Sequence, residues 1–252
     1  MPTTQSQAFT ANGLFVVPAG VSLVMLTGIG GGGGGSAPPQ SNPGKGNSGG
    51  GSGEFVHRQP FKVTPLAAIT VVVGIGGAGG NNAGSVPLAP GANGGDTLFG
   101  SFIIRGGGGA LSSVTSQPMS GYGGGAFGAP RVGEKTSGAR GFFGSGYRIG
   151  GGAGGGGTVL DAGPPGVGAP AINGWGSAPN GGVFGGGSGA SSPYGMGGAG
   201  GNHAGGGPHI PGYSALITAY GAGGGGAGAT HSYILTLGGD GAPGYLLVEW
   251  IA

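Results

Sequence analysis

Five times in this sequence an apolar or β-branched segment runs without a break into glycines: SLVMLTGIGGGGGG (22–35), ITVVVGIGGAGG (69–80), SFIIRGGGG (101–109), GYRIGGGAGGGG (146–157) and ALITAYGAGGGGAG (215–228). One glycine run is readily a tether, but five repeats of the same junction call for a structural element. An extended three-residue-per-turn helix has no internal hydrogen bonds, so a lone one in a protein interior leaves every backbone group unsatisfied. Glycine keeps its N–H, unlike proline, and its missing Cβ lets neighbouring helices come close. A bundle of such helices, polyglycine II, satisfies each donor and acceptor through its neighbours. Six residues at ~3.1 Å rise span roughly 19 Å, the length of an ordinary strand. Strand and polyglycine helix therefore fit one layer.

Composition narrows the choice between a lattice and a disordered chain. Glycine supplies 76 and proline 19 of the 252 residues, a fraction that by itself reads as low complexity. Charged residues, however, make up 6% and hydrophobic residues 37%, where disordered chains show the opposite balance. Collagen is excluded because it needs glycine at every third position, which PRVGEKTSGARGFFGSGYRIG (130–150) violates. The net charge of +2 comes from a sparse set of ions, so no nucleic-acid partner is expected. The apolar window 14–29 is interrupted by Pro18 and glycines and falls short of the ~20 residues a membrane helix needs. No membrane insertion is expected, and nothing at the N-terminus reads as a secretory signal.

The fold class expected is all-β and irregular, with essentially no α-helix: a β-strand frame from both chain ends enclosing a bundle of polyglycine II helices. No stretch keeps a 3.6-residue period free of Gly and Pro. Strand candidates are 9–17, 21–27, 54–63, 68–73, 97–105, 213–220, 231–237 and 245–251. The turn at Pro18-Ala19-Gly20 is expected to fold 9–17 against 21–27 as a hairpin. In YLLVEWI, Leu246, Val248 and Trp250 share one face and need partners, so the two chain ends are expected to pair in one sheet. The domain reading is an N-terminal tail or attachment arm at 1–8, then a single glycine-rich domain at 9–252. Its frame is 9–29, 54–73, 97–105 and 231–251, with polyglycine helices and variable loops at 106–230. The segments 36–53 and 81–95, rich in Pro, Ser and Asn, read as surface loops.

Chemical motifs are few. Gly74, Gly76 and Gly79 satisfy G-x-G-x-x-G after a strand, with Asp96 twenty residues past Gly76. That fingerprint requires a helix to receive the pyrophosphate, and NNAGSVPLAPGANGG cannot form one. GNSGG around Ser48 lacks the flanking strand and helix of a nucleophile elbow, and GEKTS around Lys135 lacks the glycine that precedes a phosphate-loop lysine. His203 and His209 read as loop histidines rather than metal ligands. Asp96 and Asp240, each after Gly-Gly, read as turn caps. With six acidic residues in the chain and no acid/base pair among them, neither an enzyme nor a cofactor or metal site is expected.

The loops carry more information. Between 117 and 150 the chain concentrates Met119, Tyr122, Phe127, Arg131, Lys135, Arg140, Phe142, Phe143, Tyr147 and Arg148. Later loops add Trp175, Phe184, Tyr194, Met196 and Tyr213. Aromatic side chains interleaved with arginine are what recognition surfaces use, because they give large contact area for little entropy loss. The competing reading is that they cover the flanks of a lattice that has no side chains of its own. Tyr122, Phe127, Arg131, Arg140, Phe142, Phe143, Tyr147, Trp175, Tyr194 and Met196 are the recognition candidates.

FVVPAGVSLVMLTGIGGGGGG near the start, ITVVVGIGGAGG with GGDTLFGSFIIRGGGG, and the closing GGDGAPGYLLVEW together resemble the glycine-rich receptor-binding adhesins and fibre-tip proteins of tailed bacteriophages, over roughly 9–250. No fibre-attachment module like that of the T-even-like tip adhesins is recognised in these residues. The resemblance implies a polyglycine sandwich framed by strands, with variable loops at one end touching a host receptor. The implied partners are a host outer-membrane protein or surface glycan and other phage tail proteins; a monomeric tip and a homotrimer both stay open. The implied location is the virion, at the tail tip or tail fibre, after synthesis in the host cytoplasm. The alternatives are a non-adhesive structural tail protein or a structural or ice-binding glycine-rich protein. An ice-binding protein would show regular short repeats and a flat face of small residues.

Overall fold

The computed structural model describes residues 3–37, 47–81, 90–110, 147–149, 186–201, 211–228 and 237–252. The described residues contain no α-helix and form two antiparallel sheets. In the first, β1 (Thr4–Phe9), β9 (Tyr245–Ile251), β3 (Leu23–Ile29), β4 (Phe55–Lys62) and β8 (Arg148–Ile149) lie side by side in that order. In the second the order is β2 (Gly13–Val16), β5 (Ala68–Val72), β6 (Thr97–Phe99) and β7 (Phe102–Ile104). The two chain ends thus meet through β1, β9 and β3, with Thr4 opposite Ile251 and Ile29 opposite Tyr245.

The sheets pack face to face. Alternation places Val24 and Leu26 of β3 and Leu246 and Val248 of β9 inward, against Phe15, Val71, Phe99 and Ile104 of the second sheet. Aromatic edges cross the interface: Phe15 meets Trp250 at 5.4 Å and Phe61 meets Phe99 at 5.5 Å between ring centroids. Such pairs add about 1 kcal/mol each beyond the area they bury.

Beyond the sandwich the strands continue as glycine runs, and their hydrogen bonds repeat every third residue. In the run 30–36, the N–H groups of Gly30, Gly33 and Ser36 donate to the carbonyls of Glu54, Gly51 and Ser48. Those of Gly31 and Gly34 donate to Gly95 and Ala92, and those of Gly32 and Gly35 to Ala242 and Gly239. These three neighbours run antiparallel. The carbonyls of the same run accept from three parallel neighbours: Gly107 and Ala110 reach Gly31 and Gly34, Gly77 and Gly80 reach Gly32 and Gly35, and Gly224 and Ala227 reach Gly33 and Ser36. A three-residue repeat with six surrounding chains is the pattern of a hexagonal polyglycine II bundle. The run 221–227 is enclosed in the same way by 30–36, 47–53, 186–190, 198–201, 239–242 and Tyr213.

The bundle inherits the layers of the sandwich. Runs 30–36, 47–53 and 238–244 extend β3, β4 and β9, and runs 74–80, 91–95 and 106–110 extend β5, β6 and β7. Runs 186–192, 197–201 and 221–227 add a third layer outside the first sheet. Side chains finish the lattice where backbone acceptors run out. Asp240, Asp96 and Asn93 accept from the N–H groups of Gly79, Gly106 and Gly109. The two aspartates therefore bridge runs instead of capping their own turns.

Several expectations are corrected. Residues 4–8 are not a free tail: they form most of β1, whose backbone completes the ladder of the C-terminal strand. The stretch 9–17 is broken at 10–12, where Asn12 accepts from the Val73 N–H, and passes from one sheet to the other. The turn at Pro18 exists, with Gly20 at φ +81° and Val21 donating to the Pro18 carbonyl, but it is no hairpin. It carries the chain from β2 to β3 across the core, so that Phe15 and Val24 both point inward from opposite sheets. The stretch 97–105 folds back at Gly100 (φ +55°) into β6 and β7. Residues 213–220 form no strand, because Tyr213 and Ala215 donate to different runs, at Ala199 and Asp240. The parts of the expected loops at 47–53 and 91–95 are lattice runs. Most of the expected strand 231–237 lies outside the described residues.

Candidate recognition surface

The molecule has two unlike ends. At the sandwich end Thr3 and Ala252 exchange backbone hydrogen bonds, both 3.0 Å. At the other end the glycine runs finish at one level, tied by bonds from Asn47 to Ala227, Ala227 to Ser36, Ala110 to Gly34, Gly201 to Gly226 and Gly186 to Gly201, and by the bridge between Asn81 and Leu237. Residues 37 and 47, 81 and 90, 201 and 211, and 228 and 237 lie at this end, as do 110 and 186.

Of the recognition candidates, Tyr122, Phe127, Arg131, Arg140, Phe142 and Phe143 belong to segment 111–146 and Trp175 to segment 150–185, outside the described residues. Tyr147, Tyr194 and Met196 are described, and they lie on one flank at the seam between sandwich and lattice. Tyr147 is half exposed, and its carbonyl accepts from the His57 N–H at 2.9 Å. Met196 is also half exposed. Tyr194 is held in a turn whose ends, Ser192 and Gly195, bond to each other, and its own N–H donates to the Ser192 hydroxyl.

The Tyr194 ring stands edge-on to Tyr245 at 5.3 Å, Tyr220 at 5.7 Å and Phe55 at 6.0 Å. Tyr220 and Tyr245 stack at 5.0 Å, and Phe55 stacks on His57 at 6.1 Å. Burial pushes the Tyr194 phenol well above its ordinary range, and the neighbouring Tyr245 phenol adds to the effect. Burial likewise raises the Tyr245 phenol, with smaller contributions from Tyr220 and Glu249. These rings close the third glycine layer over the outer face of the first sheet, where Ile29 is wholly buried. Tyr194 thus has a packing role in the structure, with Phe55, Tyr220 and Tyr245 as its partners and His57 stacked behind Phe55. Sequence reading missed this cluster because its members come from β4, β9 and the turn before run 221–227, which no local spacing connects.

Beside the cluster, Arg148 places Nη1 3.0 Å from one Glu54 carboxylate oxygen and 3.2 Å from the other. Its second amino group donates to the Ile103 carbonyl at 3.1 Å, and the guanidinium lies 4.6 Å over the Phe102 ring. Glu54 in turn accepts from the Arg105 N–H. The glycines of the G-x-G-x-x-G match sit in run 74–80, where Gly74 donates to the Thr97 hydroxyl and Gly79 to Asp240. Among the described residues no group of three His, Asp or Glu side chains is placed to hold a metal ion.

No curated protein matches the sequence. The family model of the glycine-rich domain matches residues 6–251, from within β1 to the end of β9, and the chain belongs to that glycine-rich domain family.

Proposed function

We propose that this chain is a receptor-binding protein of a bacteriophage tail tip or tail fibre, attaching the virion to a host surface protein or glycan. The observation that carries this reading is the polarity of the fold. The chain ends Thr3 and Ala252 lie at the sandwich end, and Ala110 and Gly186, which flank the part of the chain that holds most of the interleaved aromatic and basic residues, lie at the opposite end, with Tyr147–Ile149 between them against β4. A hydrogen-bonded lattice is a stiff mount, and loops held on a stiff mount lose less entropy on binding. Sequence variation in such loops leaves the lattice intact, which suits a protein that has to follow a changing receptor.

The test is to add the purified chain to candidate host bacteria, measure binding to cells by flow cytometry, and then measure phage adsorption in its presence. The expected outcome is saturable binding to a susceptible strain and slower adsorption. Binding to no strain that the source virus infects would overturn the reading in favour of a non-adhesive structural role.

A further inference from the structure

Among the described residues, Arg58 at φ +48° and Leu66 at φ +66° hold left-handed backbone angles without being glycine. In a chain with 76 glycines, a side chain kept at such an angle costs backbone strain, and strain of this kind collects where the side chain has a use. Arg58 sits in a bulge of β4. The pairing of β3 with β4 steps from Leu26↔Gln59 to Gly28↔Val56, which sets His57 and Arg58 opposite Thr27 alone. The Arg58 N–H donates to the Thr27 hydroxyl at 3.0 Å. A bulge re-aims the side chain it carries, and here the guanidinium is taken over β3 to Glu249 of β9, two strands away in the order β9-β3-β4.

Glu249 follows the inward Val248 and so faces out of the sandwich, yet its side chain is only 19% exposed. Arg58 Nε stops 4.0 Å from Glu249 Oε2, beyond hydrogen-bond distance. Among the described residues no hydrogen-bond donor reaches the carboxylate. Beside the pair lies a cavity of about 270 Å³ walled by Val21, Leu23, Met25 and Ile251, and Arg58 and Glu249 are the charged residues among the described ones that line it.

From this geometry we infer that the cavity binds a neutral sugar residue of a glycan. The pair itself selects that chemistry. An anion drawn to Arg58 meets Glu249 across the same gap, and a cation drawn to Glu249 meets Arg58. A wholly apolar group leaves the mostly buried carboxylate without the donor it lacks. A neutral ring with adjacent hydroxyls meets both needs: a hydroxyl donates to Glu249, and its own oxygen or that of the next hydroxyl accepts from Arg58. The gap of 4.0 Å between Nε and Oε2 is one that a single hydroxyl oxygen can bridge. The C–H face of the ring then packs on Leu23, Met25 and Ile251, of which Leu23 and Ile251 are otherwise open to solvent. The volume lies just under the roughly 300–1,000 Å³ of pockets for drug-sized ligands, which suits one ring. Thr4 and Ile251 at the rim place the site at the sandwich end, away from the far end of the lattice, so it does not rest on the receptor-binding role proposed above.

The experiment is saturation-transfer NMR of the full chain with the methyl glycosides of glucose, galactose, mannose and N-acetylglucosamine, and with glucuronate and glucosamine as anionic and cationic counterparts. The expected result is saturable binding of at least one neutral glycoside, with a dissociation constant on the order of 1 mM for so small a ligand, and weaker binding of both charged sugars. Arg58→Gly removes the guanidinium and relaxes the backbone, so it should weaken binding at least tenfold with the thermal midpoint unchanged or raised. Glu249→Gln should weaken binding severalfold and carries the test if Arg58→Gly melts early. Arg105→Gln, in an exposed ion pair with Asp96, should leave binding intact. In the wild type, saturating glycoside should shift the amides of Met25, Arg58 and Glu249 but not those of run 30–36. No binding across the series, equal or tighter binding of a charged sugar, full affinity in both cavity variants, or amide shifts confined to other residues overturns the inference. Cell binding by Arg58→Gly is a separate readout, so failure here leaves the receptor-binding role to its own test.

Discussion

Gly32 sits at the centre of the lattice, and a Cβ added there would run into the carbonyl of Ala222. Its neighbours in the run face the same obstacle at Ile75 and Gly108, for Gly31 and Gly33. These obstacles are backbone atoms already engaged in hydrogen bonds, so they cannot turn aside as a side chain would. Overpacking an ordinary core costs about 1–3 kcal/mol, and Gly32→Val should exceed that, seen as loss of the folded state in thermal unfolding. Gly20 is the useful contrast: it has open space around it and φ +81°. Gly20→Ala is therefore limited to the left-handed backbone penalty, about 1 kcal/mol. Tyr194 supplies a second prediction at this scale. Its folded-state phenol holds its proton to higher pH than the unfolded chain's phenol, which titrates near pH 10. The resulting stability is complete below about pH 10 and is lost as pH rises further toward the folded value. Thermal midpoints measured from pH 8 to 11.5 should fall above pH 10, and Tyr194→Phe should flatten that fall without abolishing it, since Tyr245 contributes in the same direction.

At the scale of elements, the short strand β8 depends on one ion pair. Glu54 is buried, and Arg148 is its partner, only one-third exposed. Arg148→Ala leaves a buried carboxylate holding only the Arg105 N–H. Loss of a fully buried partner costs 3–5 kcal/mol, and partial solvent access reduces that to about 1–3 kcal/mol here. Arg58, more than half exposed and 4.0 Å from Glu249, should change stability by less than about 0.5 kcal/mol when replaced by Ala; urea unfolding of the two variants separates the cases. The junctions of apolar strand and glycine, and the one-sided pattern of Leu246, Val248 and Trp250, identify the frame, the union of the chain ends and the lattice, because each follows from local backbone chemistry. Strand partners do not follow from it. Pro18-Ala19-Gly20 specifies a turn but not whether the turn stays within one sheet, and the outcome is decided by Phe15, Val17 and Val24 all needing the same core. The runs 47–53 and 91–95 are hidden in loop-like composition because serine, asparagine and alanine are tolerated wherever a lattice position faces a gap or a rim. Asn93 and Asp240 reveal their function only once the neighbouring run is in place.

On the scale of the whole molecule, the packing of Tyr194 at the seam can be separated by experiment from the recognition role proposed for the 117–150 stretch. Tyr194 lies within three rings at the seam, so Tyr194→Ala should lower stability by about 1–3 kcal/mol and affect cell binding only through the fraction unfolded. Phe142 and Phe143 belong to the basic, aromatic stretch 117–150 and lie outside the described residues, and Tyr147, half exposed, is the member of that stretch placed at the seam. Replacing these three by Ala should weaken binding to susceptible cells at least tenfold, the loss of one or two interface anchors, with the thermal midpoint unchanged. The two variants are to be compared in the same flow-cytometry titration, at a temperature well below either midpoint so that folding does not limit the signal. If the triple variant melts early and Tyr194→Ala binds poorly while remaining folded, the assignment is reversed: recognition belongs to the seam, and the 117–150 stretch covers the lattice. A fluorescent protein fused at either terminus sharpens the comparison. Both termini sit at the sandwich end, so such fusions should leave binding intact if contact is made at the far end and obstruct it if contact is made at the sandwich.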